Sequence, residues 1–308
     1  MKRILLCIAV CLLAAAPAGA QTLSGTYCFA QRDTCDLYLD IYEPAAVDGP
    51  ERPSVLFVFG GGFITGRRND PYCLPWFKRL TDNGFRVISV DYRLGLKGVR
   101  MRFDPLHLID AADKTKHAVD VGVEDVFAAV RYLADHAEEL GVDMSGIVLA
   151  GSSAGAMISL SCEWEICNGT PRTAVLPLGF NFAGVMSFAG AIMSDSGEPA
   201  YPLSPCPQLL IHGTADGAVA YDKTAFGRRG MYGSNALAKI LDKGGFVYNI
   251  YRFKDHSHDM AANFIATWPE QIRFLEENVM GRSGRIIDAM VDDPAVPVMG
   301  NITLDDIY

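Results

Sequence analysis

The sequence predicts an α/β fold, a mostly parallel central sheet with helices on both faces and an N-terminal antiparallel hairpin. Three observations predict it. Short apolar runs without polar alternation, such as Val55–Phe59, Val87–Val90 and Ile147–Ala150, read as strands buried on both faces. Between them lie segments whose apolar residues recur at three- and four-residue steps, the period of a helix with one covered face. The two patterns alternate along the chain, and alternating strands and helices close most simply as parallel strands joined by helical crossovers.

Taken in order, Thr26–Tyr42 reads as two strands about a turn at Gln31-Arg32, with Leu37, Leu39 and Ile41 alternating against Tyr38, Asp40 and Tyr42. Glu43-Pro44 ends the pair, and a polar stretch rich in Pro and Gly runs to Pro53. Val55–Phe59 is the first buried strand, Trp76–Asp82 a helix stopped by Gly84, and Val87–Val90 the next strand. Val123, Val126, Phe127, Val130 and Leu133 predict a helix over 123–140, ended by Gly141. The strand at Ile147 and a helix over Ala156–Trp164 follow, then strands at Val185–Ala189 and Leu209–His212. Ser234 reads as the N-cap of a helix to Lys243, stopped by Gly244-Gly245. Phe246–Phe253 is read as the last strand and Ala261–Val279 as the last helix. Gly95–Lys116 and Ala220–Tyr232 read as loops shaping a pocket. Residues 281–308 read as a C-terminal tail in which Pro294 and Pro297 argue against a helix. No repeat or low-complexity linker appears, so residues 21–280 are read as one domain.

The chain has 308 residues, half of them hydrophobic, enough for a large core. Its first twenty are read apart from that core. Lys2 and Arg3 are followed by the apolar stretch Ile4–Ala16 and the small residues Ala18-Gly19-Ala20. This is the pattern of a secretory signal peptide cleaved after Ala20, and it predicts a secreted or periplasmic protein without stable membrane insertion. Cys11, preceded by Val10, makes a poor lipid-attachment signal. Loss of Lys2 and Arg3 takes the net charge from −9 to −11, which disfavours nucleic acid as a partner. Six cysteines remain, Cys28, Cys35, Cys73, Cys162, Cys167 and Cys206. Export permits disulfides, and the close pairs are Cys28 with Cys35 and Cys162 with Cys167, though spacing leaves the connectivity open. No C-x-x-C is present, and no cofactor or metal is expected.

The chemistry centres on Gly151-Ser152-Ser153-Ala154-Gly155, a G-x-S-x-G between a predicted strand and a predicted helix. A serine at so sharp a turn exposes its hydroxyl above the sheet, and the two glycines avoid collisions with helix and strand. Ser153 is the candidate nucleophile. Serine needs a base, and the base an orienting acid. His107, His117 and His136 precede Ser153 and read as solvated residues. His212, in His212-Gly213-Thr214-Ala215-Asp216, reads as a packing or hydrogen-bonding residue, with Asp216 the candidate acid. In Lys254-Asp255-His256-Ser257-His258-Asp259-Met260 the preferred base is His258, with His256 as the alternative. Gly60-Gly61-Gly62 follow a strand, and glycine lets backbone amides turn toward a developing oxyanion. Gly61 and Gly62 are the candidate donors, with Ala154 the third. A phosphate loop is excluded, since no Gly-Lys-Ser/Thr follows and G-x-G-x-x-G is absent.

These motifs resemble the α/β-hydrolase superfamily, especially its esterases and lipases. Leu56–Gly66 and Gly151–Ala156 resemble carboxylesterases of the cholinesterase kind. The His-Gly-x-x-Asp setting of Asp216 is similar to compact bacterial esterases related to acetyl-xylan and feruloyl esterases. The similarity runs from Leu37 to Val279. Phe59 stands where the hormone-sensitive-lipase-like group has histidine. Asp91-Tyr92-Arg93-Leu94 also resembles the family, in a structural role. The resemblance implies a serine hydrolase acting on short-acyl or carbohydrate-linked esters. A peptidase of the same fold would share the chemistry, whereas a binding protein that had lost it would be expected to lack a member of the Ser153, Asp216, His258 set.

Overall fold

The structure, a computed structural model, describes residues 23–44, 51–300 and 303–307. The expected signal peptide and its cleavage point lie outside the described residues. Strands β1 (Leu23–Gln31) and β2 (Asp36–Tyr42) open the chain, followed by β3 (Ser54–Val58), α1 (Leu74–Asp82) and β4 (Arg86–Val90). The long α2 (Leu108–Asp135) and the single turn α3 (Ala137–Leu140) lead to β5 (Ile147–Ser152) and α4 (Ala154–Asn168). Next come β6 (Gly184–Phe188), β7 (Ala191–Ser194), β8 (Gln208–Gly213), β9 (Lys223–Phe226) and β10 (Arg229–Gly233). The remainder is α5 (Ser234–Gly244), β11 (Tyr248–Phe253), α6 (Trp268–Phe274), β12 (Ile287–Val291) and the short α7 (Leu304–Ile307).

Nine strands form one sheet in the order β1-β2-β4-β3-β5-β6-β8-β11-β12. β1 and β2 are an antiparallel hairpin, and β2 runs antiparallel to β4. Every pairing from β4 across to β12 is parallel. The central strands β3, β5, β6 and β8 are buried at every residue, which accounts for their unbroken apolar runs. α4 packs on β5 and β6 with α2 against it, α1 lies on β4, and α5 covers β8 and β11. The hairpin turn is tied to α2 through Asp125, whose fully buried carboxylate pairs with Arg32 and Arg93.

Parallel strands present their carboxyl ends at one edge of a sheet, where open α/β folds place ligand sites. The glycine loop follows β3, Ser153 follows β5, Asp216 lies just beyond β8 and His258 just beyond β11. An aromatic cluster packs near this edge: Trp76 stacks on Phe264 at 4.7 Å between ring centroids, and Phe188 meets Phe264 edge-on at 4.9 Å. Trp76 Nε1 donates to Gln271, whose amide donates in turn to the Phe264 carbonyl. The segment that follows His258 is thereby fastened to α1 and α6.

Several elements differ from the sequence expectation. The long helix begins at Leu108 rather than Val123, so His117 is an exposed helical residue, not a loop neighbour. Its first four turns bury little beyond Ala111, Ala118 and Val119, and they carry the i,i+4 ion pairs Asp110–Lys114 and Lys116–Asp120. The segment read as a loop over 220–232 is mostly the β9–β10 hairpin, which joins β7 in a small antiparallel sheet. The helix over 261–279 is broken into a 3-10 turn at His258–Ala261, then α6, then a π-helical turn at Leu275–Met280. Ser234 is the first residue of α5 and Gly233 its cap, so the serine hydroxyl is free for another partner. Tail residues 287–291 add β12 to the sheet edge.

Among the described residues all six cysteines are free thiols. Cys28 stands opposite Tyr38, which leaves Cys35 in the hairpin turn, out of register with it. Cys162 and Cys167 both lie within α4, where five residues at 3.6 per turn point about 140° apart.

Candidate active site

β5 ends at Ser152 and α4 begins at Ala154, so Ser153 alone makes the turn, with φ 51° and ψ −117°. A non-glycine residue held at positive φ costs on the order of 1–3 kcal/mol, and such strain gathers at functional positions. The surroundings hold it there. Ser153 N donates to the Phe188 carbonyl at 2.9 Å, and the Ser153 carbonyl accepts from Met157 N at 2.9 Å. Glycine is required on either side. A Cβ on Gly151 would run into the Gly155 carbonyl, and one on Gly155 into the carbonyls of Val58 and Phe59.

The glycine loop lies against this turn. A Cβ on Gly60 would sit 3.0 Å from the Ser152 carbonyl and 3.3 Å from Ser153 Cβ. Gly61, Gly62 and Phe63 all take positive φ, at 115°, 62° and 62°. The Gly61 carbonyl accepts from Ile64 N and Thr65 N, closing a tight turn. Phe59 is held by Tyr92, whose ring stacks on it at 4.5 Å and whose hydroxyl donates to the Phe59 carbonyl at 3.1 Å. Ala154 is the first residue of α4, where a helix leaves backbone N–H groups without intrahelical partners. The glycine loop thus meets the serine turn at Gly60, and Ala154 follows Ser153 directly as the first residue of α4.

Ser153 Oγ lies 2.7 Å from His258 Nε2, and His258 Nδ1 lies 2.8 Å from Asp216 Oδ2. The Asp216 carboxylate can only accept, so Nδ1 carries the proton and Nε2 is left to accept from the serine hydroxyl. Ser153 is 7% and His258 4% exposed, and the Asp216 side chain is fully buried. Burial alone would push the Asp216 carboxyl up. Hydrogen bonds from His212 and His258 outweigh it and hold the group well below the ordinary carboxylate range. Its Oδ1 also accepts from Ala218 N at 2.8 Å and Val219 N at 2.9 Å, which fixes the carboxylate plane.

His256, the alternative base, is turned elsewhere. Its Nδ1 bonds Asp259 Oδ2 at 2.9 Å, inside a buried group that includes Asn263. His107 pairs with Asp104, and His136 with Glu139. Two contacts were not foreseen from the sequence. Ser152 Oγ donates to the Ala261 carbonyl at 2.7 Å and ties the turn to the His258 segment. His212 reaches Asp216 Oδ2 at 3.0 Å and Ser234 Oγ at 2.8 Å. The sequence signal for the first was a hydroxyl beside the nucleophile, and for the second a histidine four residues before the acid.

A cleft of about 570 Å³ borders the acid side, lined by residues 101–104, Gly217, Thr303 and Leu304. Among the described residues no helix is long and apolar enough to cross a membrane.

The sheet order, the turn at Ser153 and the Ser153–His258–Asp216 line define an α/β-hydrolase. The model of the carboxylesterase family matches residues 10–162, just under half of the chain. Esterase LipI of Mycobacterium tuberculosis is 31% identical over 120 residues, covering 38% of this chain and 31% of the relative. Phenmedipham hydrolase of Pseudarthrobacter oxydans is 32% identical over 139 residues, covering 45% and 25% respectively. These matches span less than a third of either relative. In three dimensions the apo form of Thermogutta terrifontis esterase 2 superposes with a TM-score of 0.58 at 19% identity, over 88% of this chain and 98% of that one. Esterase B of Lactobacillus rhamnosis gives a TM-score of 0.57 at 18% identity, over 83% and 85%.

Proposed function

We propose that this protein is a secreted serine esterase that cleaves carboxylic esters through an acyl-enzyme. The observation that carries the reading is the unbroken hydrogen-bonded line from Ser153 Oγ through His258 to the buried Asp216. His258 Nε2 takes the hydroxyl proton as Ser153 Oγ attacks the ester carbonyl, and Asp216 steadies the imidazolium that forms. The oxyanion is met by the amides of Gly61, Gly62 and Ala154. Each such donor lowers the barrier by about 3–4 kcal/mol. Collapse expels the alcohol, which takes its proton from His258. Water, activated by the same imidazole, then releases the acid and restores Ser153. The resemblance of the Asp216 setting to compact bacterial esterases supports short-acyl or carbohydrate-linked substrates. The N-terminal Lys2-Arg3, apolar stretch and Ala18-Gly19-Ala20 support export.

The test is a panel of aryl esters from two to twelve carbons, with acetylated xylan and a peptide amide beside it. Turnover greatest at the short acyl end and negligible on the amide is expected. Ser153→Ala is expected to cut kcat by about 10⁶-fold while the protein stays folded, since removal of the nucleophile disables the whole set. A fluorophosphonate should label the wild type once and the variant not at all. Peptide amides turned over faster than acetyl esters, or retained activity in folded Ser153→Ala, would overturn the reading.

A further inference from the structure

We infer that His212 and Ser234 are positioning residues, forming a second hydrogen-bonded arm that fixes Asp216 and shares its charge with His258. The inference rests on the Ser153–His258–Asp216 reading above.

His212 lies near the end of β8 and has no exposed surface, and neither does Ser234 at the start of α5. His212 Nε2 faces two acceptors, Asp216 Oδ2 at 3.0 Å and the Val219 carbonyl at 3.3 Å. A ring nitrogen between two acceptors carries the proton. Nδ1 is then bare, and at 2.8 Å it accepts from the Ser234 hydroxyl. Every direction in the line is thus assigned. Ser234 O–H donates to His212 Nδ1, and His212 Nε2–H donates to Asp216 Oδ2. His258 Nδ1–H donates to the same oxygen, and Ser153 O–H donates to His258 Nε2. A buried histidine that served packing alone would need neither the shared oxygen nor a fully buried hydroxyl aimed at its other nitrogen.

The sharing has a chemical consequence. Oδ2 divides its negative charge between two N–H donors, so His212 moderates the pull of Asp216 on the His258 proton. It also leaves the carboxylate one rotamer, since Oδ1 is held by Ala218 N and Val219 N. Other charged or titratable groups face this line from neighbouring elements. The Tyr221 ring meets His212 edge-on at 5.8 Å. Arg252 stands beside His212 across β8 and β11 and is bonded to Asp288, and Asp222 pairs with Lys239. The His256–Asp259 pair lies next to His258 in the chain. None of these is altered by the substitutions below.

The experiment combines imidazole nitrogen NMR on ¹⁵N-histidine-labelled protein with pH profiles for p-nitrophenyl acetate. The wild type should show His212 with its proton on Nε2. His212→Leu should lower kcat about tenfold with KM unchanged, the low end for partners that orient a working group at second hand in metal sites. It should also move the acid limb of kcat/KM to higher pH, because His258 then has Asp216 to itself. His212→Gln, whose amide nitrogen can stand in for Nε2, should restore most of both, and Ser234→Ala should fall between. A purely structural histidine would lower stability and leave the acid limb in place. Folded His212→Leu and Ser234→Ala with wild-type kcat and acid limb, or a wild-type His212 protonated on Nδ1, would overturn the inference. If His212→Leu does not fold, His212→Gln against Ser234→Ala makes the same comparison. If the wild type turns over no ester, the functional reading fails by itself. The His212 tautomer and the response of the His258 signals to Ser234→Ala then decide this one.

Discussion

Ser153 keeps a backbone conformation that side-chain-bearing residues avoid, and its neighbours are chosen to make that tolerable. Gly155 is the sharper case, because its missing side chain leaves room for the carbonyls at the end of β3. Gly155→Ala should destabilise the fold by about 1–3 kcal/mol, the usual cost of forcing extra atoms into a packed site, as measured by urea denaturation. Gly169, at the far end of α4, takes positive φ with nothing near its Cβ position, so Ala there meets no neighbour and only the conformational penalty. Asp216 is the other residue whose value lies in its setting. Its carboxyl stays ionised below the ordinary value of 3.8, so its stabilising bonds are complete above that pH and are lost as pH falls through the depressed native value. Asp216→Asn keeps the shape but removes the acceptor that fixes the His258 tautomer. A fall in kcat of about 10⁴-fold at neutral pH is expected, measured on a short-acyl ester.

Among the elements, α4 carries a burden that its sequence conceals. It is buried on nearly every residue from Ala154 to Glu163, and Glu163 itself has no exposed surface. Glu163 Oε1 accepts from Cys206 N at 2.8 Å and from the Cys167 thiol, while Oε2 has no hydrogen-bond partner. Burial raises its carboxyl above the ordinary value of 4.5 despite those bonds. The folded chain therefore takes this proton at higher pH than the unfolded chain. The group's contribution to stability is complete below 4.5 and is lost as pH rises through the native value. The wild-type Tm should climb as pH falls through the raised native value toward 4.5, and Glu163→Gln should flatten that climb. Equal slopes for the two proteins would assign the dependence elsewhere. Elements were legible in the sequence where burial was two-sided, as in β3, β5 and β8. They were hidden where it was not. β12 alternates between half-buried and exposed residues at a sheet edge, and the start of α2 shows solvent an array of ion pairs in place of an apolar stripe.

At the scale of the molecule, one sheet edge gathers residues scattered over some two hundred positions, and topology does what no local signal announces. The sequence made Ser153 readable because a turn so tight has its own signature. Asp216 was readable from its offset after His212. The choice between His258 and His256 was not, because two histidines one residue apart differ only in the direction each faces. That direction is set at long range, by the bond from Ser152 to Ala261 and by Phe264 lodged against Trp76. Four of the six thiols share this inaccessibility. Burial pushes Cys73 up to about 12 and lifts Cys162, Cys167 and Cys206 well above the usual thiol value, whereas Cys28 and Cys35 stand exposed on the hairpin. Only a thiolate attacks a disulfide reagent. A chain beginning at Gln21 should therefore give two quick equivalents of colour with a chromogenic disulfide and then fall silent. The other four should appear only as fast as the interior opens, so that the protein times its own unfolding without an added label.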